Sequence, residues 1–223
     1  MKPIKKGAKV KGKAALPLYE TLKVIDPEVI PEHQFAWLYL PRSEERTLVE
    51  NKILKALQDH CIWTRGDYRN AKSKAKPANI YADDNKITGL TRKLEYDFYL
   101  PSFNVVIEFD ELQHFTEERK ITFDNYPSEG FSFDVLRWTA LCDMKRNDGD
   151  PPERDWQRAF RDSVRDLRAR DQGIPLIRLF VKDFEKEGLE ESKVRHGLER
   201  LIKAASILAN PARSMPDKLI AAL

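Results

Sequence analysis

The sequence predicts an α/β chain, and two stretches carry that prediction. Residues 94–100 (LEYDFYL) and Val105–Asp110 (VVIEFD) are short runs rich in aromatic and β-branched residues. They are joined by Pro101-Ser102-Phe103-Asn104, so together they read as a β-hairpin with a four-residue turn. Residues 153–172 form the second stretch, an amphipathic helix that ends at Gly173 and runs into the apolar strand 174–180 (IPLIRLF).

Taken in order, the chain opens with a basic arm. Six lysines (2, 5, 6, 9, 11 and 13) and no acid lie between Met1 and Lys13, an arrangement that can follow a phosphate backbone. Residues 17–43 hold four prolines and read as irregular, with a short strand at 35–40. A helix is expected over 43–60, capped by Ser43, with Glu44 and Glu45 at the positive end of its dipole and Ile53, Leu54, Leu57 and Cys61 as its apolar stripe. Glu50 projects near the middle of that stripe. Residues 63–93 mix Arg65, Arg69, Lys72, Lys74 and Lys76 with Trp63, Tyr68 and Tyr81, the composition that backbone contact and base stacking use. The hairpin follows. Residues 115–152 read as an insertion containing a short helix near 132–146, long enough for a lid or a substrate-contacting element.

In the 153–172 helix, Trp156, Phe160, Ser163, Val164 and Leu167 form the inward stripe. Arg158 and Arg165 stand among the arginines of one flank, where they could face phosphates, and Asp155, Asp162 and Asp166 occupy another flank. One or two further amphipathic helices are expected over 183–209, then a Pro211-to-Pro216 break and a terminal apolar helix, 217–223. The organisation expected is therefore a basic arm and irregular segment (1–42), a core (43–182) and a helical C-terminal extension (183–223). That extension is a candidate surface for a homodimer or an assembly partner.

Charge is abundant but nearly balanced, 39 basic against 36 acidic residues, so its distribution matters more than the net +3. Two cysteines, Cys61 and Cys142, lie far apart without metal-ligand spacing, which suits a reducing cytosol. No apolar run approaches the ~20 residues that span a bilayer, and the basic start is not followed by a secretion signal. A cytoplasmic protein without membrane partners is expected.

Side chains alternate across a strand. Glu95, Asp97 and Tyr99 therefore share one face of the first hairpin strand, and Val106, Glu108 and Asp110 share one face of the second. Three carboxylates can converge, and such a cluster is costly unless something positive compensates it. A divalent cation with oxygen ligands is a common solution. At these residues the sequence resembles the PD-(D/E)XK, restriction-endonuclease-like nuclease superfamily. The closer likeness is to the branch of very-short-patch repair nucleases and related homing-type endonucleases. That branch reads as an Asp-Phe strand, a Pro turn, then hydrophobic-Glu-x-Asp-Gly-x-x-His. The corresponding residues are Asp97-Phe98, Pro101 and Ile107-Glu108-Phe109-Asp110-Glu111-Leu112-Gln113-His114. Glu111 stands where Gly is usual, and Asp110 takes the place of the superfamily's Lys, as is common in this branch.

The resemblance implies a central mixed sheet flanked by the 43–60 and 153–172 helices, with a bacterial or phage-encoded intracellular setting. It also implies a Mg²⁺-dependent endonuclease acting on DNA, with Mn²⁺ as a substitute metal. Asp97 and Glu108 would hold the metal, with Glu50 or Asp110 completing the shell. Asp110, Gln113 and His114 would orient water or move a proton, and His suits that task near neutral pH. Asp162, eleven residues before Gly173, matches a helical Asp that supports catalysis in the branch, and Arg165 sits where relatives often have Lys. DNA contact is expected from Lys5, Lys6, Lys9, Lys11 and Lys13, from Arg69, Lys72, Lys74 and Lys76, and from Arg158 and Arg165. The alternatives are a non-catalytic DNA-binding protein, an assembly subunit such as one from a phage particle, and a nuclease for junctions or RNA.

Overall fold

The hairpin forms where the sequence places it. Strands β2 (Tyr96–Leu100) and β3 (Val105–Asp110) pair antiparallel, Phe98 opposite Ile107. Their turn closes with Phe103 N–H donating to the Leu100 carbonyl and Asn104 in the left-handed region at φ +53°, which Asn tolerates better than most residues. The buried Asp26 clamps this turn, accepting from Ser102 N–H at 3.1 Å and from the Ser102 hydroxyl at 3.0 Å.

The computed structural model describes residues 15–68, 93–143, 152–184 and 191–208. Helix α1 (Ala15–Ile25) leads to strand β1 (Ile30–His33), and helix α2 (Leu48–Tyr68) leads to the hairpin. Helices α3 (Glu117–Asp124), α4 (Val135–Cys142) and α5 (Pro152–Asp171) lie between β3 and strand β4 (Leu176–Phe180), and α6 (Val181–Phe184) and α7 (Glu191–Leu208) follow. The four-stranded sheet runs β1-β2-β3-β4. Pairing is antiparallel except between β3 and β4, which run parallel. The mixed sheet flanked by helices is thus present. Phe98, Leu100, Val105 and Ile107 pack in one apolar cluster with Leu18 and Leu22 of α1 and Leu198 and Ile202 of α7. Val106 and Leu176 pack in a second, with Ile53, Leu54 and Leu57 of α2 and Phe160, Val164 and Leu167 of α5.

Four expectations need correction. Residues 17–43 are irregular only in part, over 26–29 and 34–42: Pro17 falls in the first turn of α1, where its missing N–H costs nothing, and Leu18 and Leu22 bury one helical face. The strand lies at Ile30–His33 rather than 35–40, on the sheet edge that tolerates Pro31; within 35–40 only Tyr39 makes a bridge, to Lys93. Helix α2 is capped by Thr47 and not by Ser43, which belongs to a short 3₁₀ turn. The Thr47 hydroxyl accepts Glu50 N–H at 3.2 Å and Glu50 Oε2 accepts Thr47 N–H at 2.7 Å, a reciprocal capping box. Finally, 115–152 is no lid over its described part. Thr116 caps α3, and Arg119, Thr122, Phe123 and Trp138 are buried in the body of the protein.

The helix-glycine-strand unit is as predicted. Gly173 takes φ +64° after α5, and its N–H donates to the Arg170 carbonyl at 2.9 Å. Trp156, Phe160, Ser163, Val164 and Leu167 are all buried. The aspartate flank is not solvated, however: Asp162 and Asp166 are buried as well, and the site depends on them.

Candidate active site

The site lies between the open end of the hairpin and the middle of α5. Backbone pairing of β2 with β3 ends at Phe98 and Ile107, one step short of Asp97 and Glu108. There Asp97 Oδ2 accepts the Phe109 N–H at 2.7 Å, so a side chain stands in for the ladder. Asp97 as a residue is exposed, yet desolvation of its carboxyl raises its pKa against the opposing pull of that N–H. Across the gap, Glu108 is buried at 3% exposure. Its pKa is raised well above the ordinary carboxylate range, first by burial and then by Asp97, while Arg165 opposes the shift. Glu108 Oε1 has no hydrogen-bond partner. The Arg165 Nε is 3.6 Å from it, beyond hydrogen-bond reach.

On the far side of Glu108 a histidine meets α5. A 3₁₀ turn (Leu112–His114) follows β3 and brings His114 Nδ1 to 2.9 Å from Asp162 Oδ2 and 3.5 Å from Asp110 Oδ1. Burial alone would lower the His114 pKa, but Asp162 and then Asp110 outweigh it, and the net shift is upward. Asp162 is held far below the carboxylate range despite burial, by His114 first and by arginines including Arg165. Arg165 Nη1 donates to Asp162 Oδ1 at 2.8 Å, and its Nε to the Glu95 carbonyl at 2.8 Å. Arg158 donates to the Gln113 carbonyl at 2.8 Å and so ties the histidine's turn to α5.

Behind these groups lies a buried ionic layer. Register places Arg178 of β4 beside Glu108. Its guanidinium reaches past Glu108 to Asp110 (2.6 and 2.7 Å) and to Asp166 Oδ1 (2.7 and 3.0 Å). Asp166 also accepts from Arg119 at 2.5 Å and from the Tyr126 hydroxyl at 2.7 Å. Asp110 accepts in addition from Trp138 Nε1 at 2.7 Å, and Arg178 and His114 lower its pKa in spite of its burial.

Asp97, Glu108, His114, Asp162 and Arg165 are therefore gathered, with Asp110 against them. Neither Glu50 nor Asp110 is free to complete a shell with Asp97 and Glu108. Asp110 is neutralised by Arg178, and Glu50 is taken by Arg168 at 2.9 and 3.1 Å and by the cap of α2. Among the described residues no group of three or more His, Cys, Asp or Glu is arranged to hold a metal. The Gln113 side chain turns to Glu111 at 3.0 Å rather than to the acids. Arg158 and Arg165 are bound to protein groups, which corrects the picture of a free phosphate-facing flank. Lys5, Lys6, Lys9, Lys11, Lys13, Arg69, Lys72, Lys74 and Lys76 lie outside the described residues. Two groups were missed although the sequence marks them: Thr47-x-x-Glu50 is a capping-box pattern, and Arg178 interrupts an otherwise apolar strand. Glu50→Gln is accordingly expected to cost about 1–3 kcal/mol in urea denaturation, the cost of weakening a buried charged hydrogen bond, and to leave cation affinity at Asp97 and Glu108 unchanged.

No helix among the described residues is long and apolar enough to cross a membrane. Comparison of the chain with protein-family models, curated proteins and solved structures gives no match.

Proposed function

We propose that the chain is a divalent-cation-dependent nuclease that hydrolyses DNA phosphodiester bonds, with Asp97 and Glu108 as the protein ligands of the cation. The observation that carries this reading is the Glu108 carboxylate, buried with an oxygen no donor satisfies and facing a second acid. A buried acid without a hydrogen-bond partner is costly, and a cation removes that cost. Two carboxylates are enough for Mg²⁺, which usually keeps several waters and draws its remaining ligands from substrate phosphate. When bound, the cation supplies Lewis acidity toward a phosphoryl oxygen and a water of lowered pKa.

The chain's own residues supply the rest. Asp162 holds His114 by Nδ1, which fixes the ring and leaves Nε2 for the proton of the attacking water. Arg165 carries positive charge beside the acids and serves the negative charge that develops on the non-bridging phosphoryl oxygens, the task of the missing motif lysine. Arg178 neutralises Asp110, which leaves Asp97 and Glu108, with Arg165 as the cation beside them, as the acids open to a metal. DNA as the substrate rests on the motif resemblance and on the lysine-rich arm.

One observation favours a second reading. Asp110 is bound by Arg178 and Trp138, so one acid of the motif is spent on structure, as a non-catalytic DNA-binding protein would allow. The same assay decides between them. Supercoiled plasmid is expected to be nicked with Mg²⁺ or Mn²⁺ and left intact with EDTA. Asp97→Ala should lose more than the ~10–100-fold that supporting residues around a metal typically cost. A protein that binds the plasmid yet leaves it intact with both metals would establish the second reading. Running duplex, branched and RNA substrates side by side separates the nuclease classes.

A further inference from the structure

We propose that the Arg165 guanidinium and the divalent cation compete for the Glu108 carboxylate, so that Arg165 sets the affinity of the site for its metal. This rests on the cation-site reading above and concerns what that site contains besides its ligands. Arg165 balances the charge of Glu108 without hydrogen-bonding to it. Its Nε–H is committed to the Glu95 carbonyl and its Nη1 to Asp162, while the Nε-to-Oε1 approach stops at 3.6 Å. The guanidinium therefore does for Glu108 only the electrostatic part of what a metal ion does, and leaves the oxygen's lone pairs unused.

Retreat is restricted. The Arg165 backbone is fixed by Tyr96, whose hydroxyl donates to the Arg165 carbonyl at 2.8 Å, and the residue sits mid-helix in α5. A cation arriving at Asp97 and Glu108 consequently meets a positive charge that cannot leave with its helix. It can only rotate its side chain away from Glu108, keeping Asp162 as its partner. The other groups facing the pair are Asp162, His114 and Arg178, all engaged with partners of their own. Arg165 is thus the charged group of this face with the loosest hold on its acid. Metal uptake would shift its charge away from Glu108 and release it for the substrate phosphate, which links loading of the site to the charge that catalysis needs.

The test is Mn²⁺ titration calorimetry on the full chain, comparing the wild type with Arg165→Lys and Arg165→Gln. Removing a fixed positive charge a few ångströms from a divalent ion is expected to tighten binding roughly tenfold or more in Arg165→Gln. Arg165→Lys keeps the charge and should stay within about threefold of the wild type. Equal or weaker binding by Arg165→Gln would overturn the proposal, because Arg165 would then be a support for the acids and not a rival of the metal. Should Arg165→Gln fail to fold, the wild type still decides. Its Arg165 Nε–H resonance, identified by its absence from Arg165→Lys, must move on Mg²⁺ titration, and an unmoved resonance at saturation overturns the competition. If neither the wild type nor Arg165→Gln takes up Mn²⁺, the cation site itself is wrong and this inference falls with it.

Discussion

Glu108→Gln is expected to yield a protein that is more stable and inactive. Glutamine keeps the shape of the side chain and removes a charge that burial and Asp97 both disfavour. Removal of such a functional liability typically adds about 0.5–2 kcal/mol, or about 1–8 °C in Tm for a chain of this size. The sign follows from the direction of the shift. An acid whose folded pKa is raised binds more protons in the folded state, so it weakens the fold as pH rises from the unfolded value, ~4.3, through the folded one. The advantage of Glu108→Gln should therefore be absent in acid, grow through that window, and level off above it. Mg²⁺ should reverse the order, stabilising the wild type at high pH and leaving Glu108→Gln untouched. Thermal melts across pH with and without Mg²⁺, read beside plasmid nicking, check all of this. A variant less stable than the wild type in EDTA at neutral pH would show that Glu108 is fully compensated and needs no cation.

The hairpin was legible because two independent signals agree on it. Period-two alternation gives each strand its faces, and a four-residue turn fixes the register that sets Asp97 across from Glu108. Helix α5, Gly173 and β4 were legible for the same reason, since apolar periodicity, a glycine stop and an apolar run occur in sequence. Helix α1 and strand β1 were not, because prolines usually report irregular structure, and here one opens a helix and another lies on a sheet edge. The ionic layer was hidden for a different reason. Arg119 and Asp166 are 47 positions apart, and each on its own looks like a solvated helix charge. Only folding discloses that α3 packs on α5 and buries both. The same blindness made Glu50 look like a metal ligand. A glutamate on an apolar stripe needs a partner, and the sequence does not say that the partner is Arg168.

Arg178→Met should be the most destabilising single substitution in the site. The Arg178 side chain is fully buried and bridges two acids on different elements, Asp110 at the end of β3 and Asp166 on α5. Methionine fills much of the volume but leaves both carboxylates without their shared cation. Asp110 retains Trp138 and His114, and Asp166 retains Arg119 and Tyr126. Breaking a buried pair from one side costs about 3–5 kcal/mol, which for this length lowers Tm by about 6–20 °C. The pH dependence has a definite sign. Asp110 has a lowered folded pKa, so its contribution is present above the unfolded value, ~3.9, and is lost as pH falls through the folded one. The penalty of Arg178→Met should therefore be largest near neutrality and shrink as the solution is acidified below that range. Urea denaturation of both proteins at neutral and acidic pH measures it. A loss under 1 kcal/mol at neutral pH would mean that Arg119, Tyr126 and Trp138 suffice for the two acids, and that the Arg178 bridge between β4, β3 and α5 is dispensable.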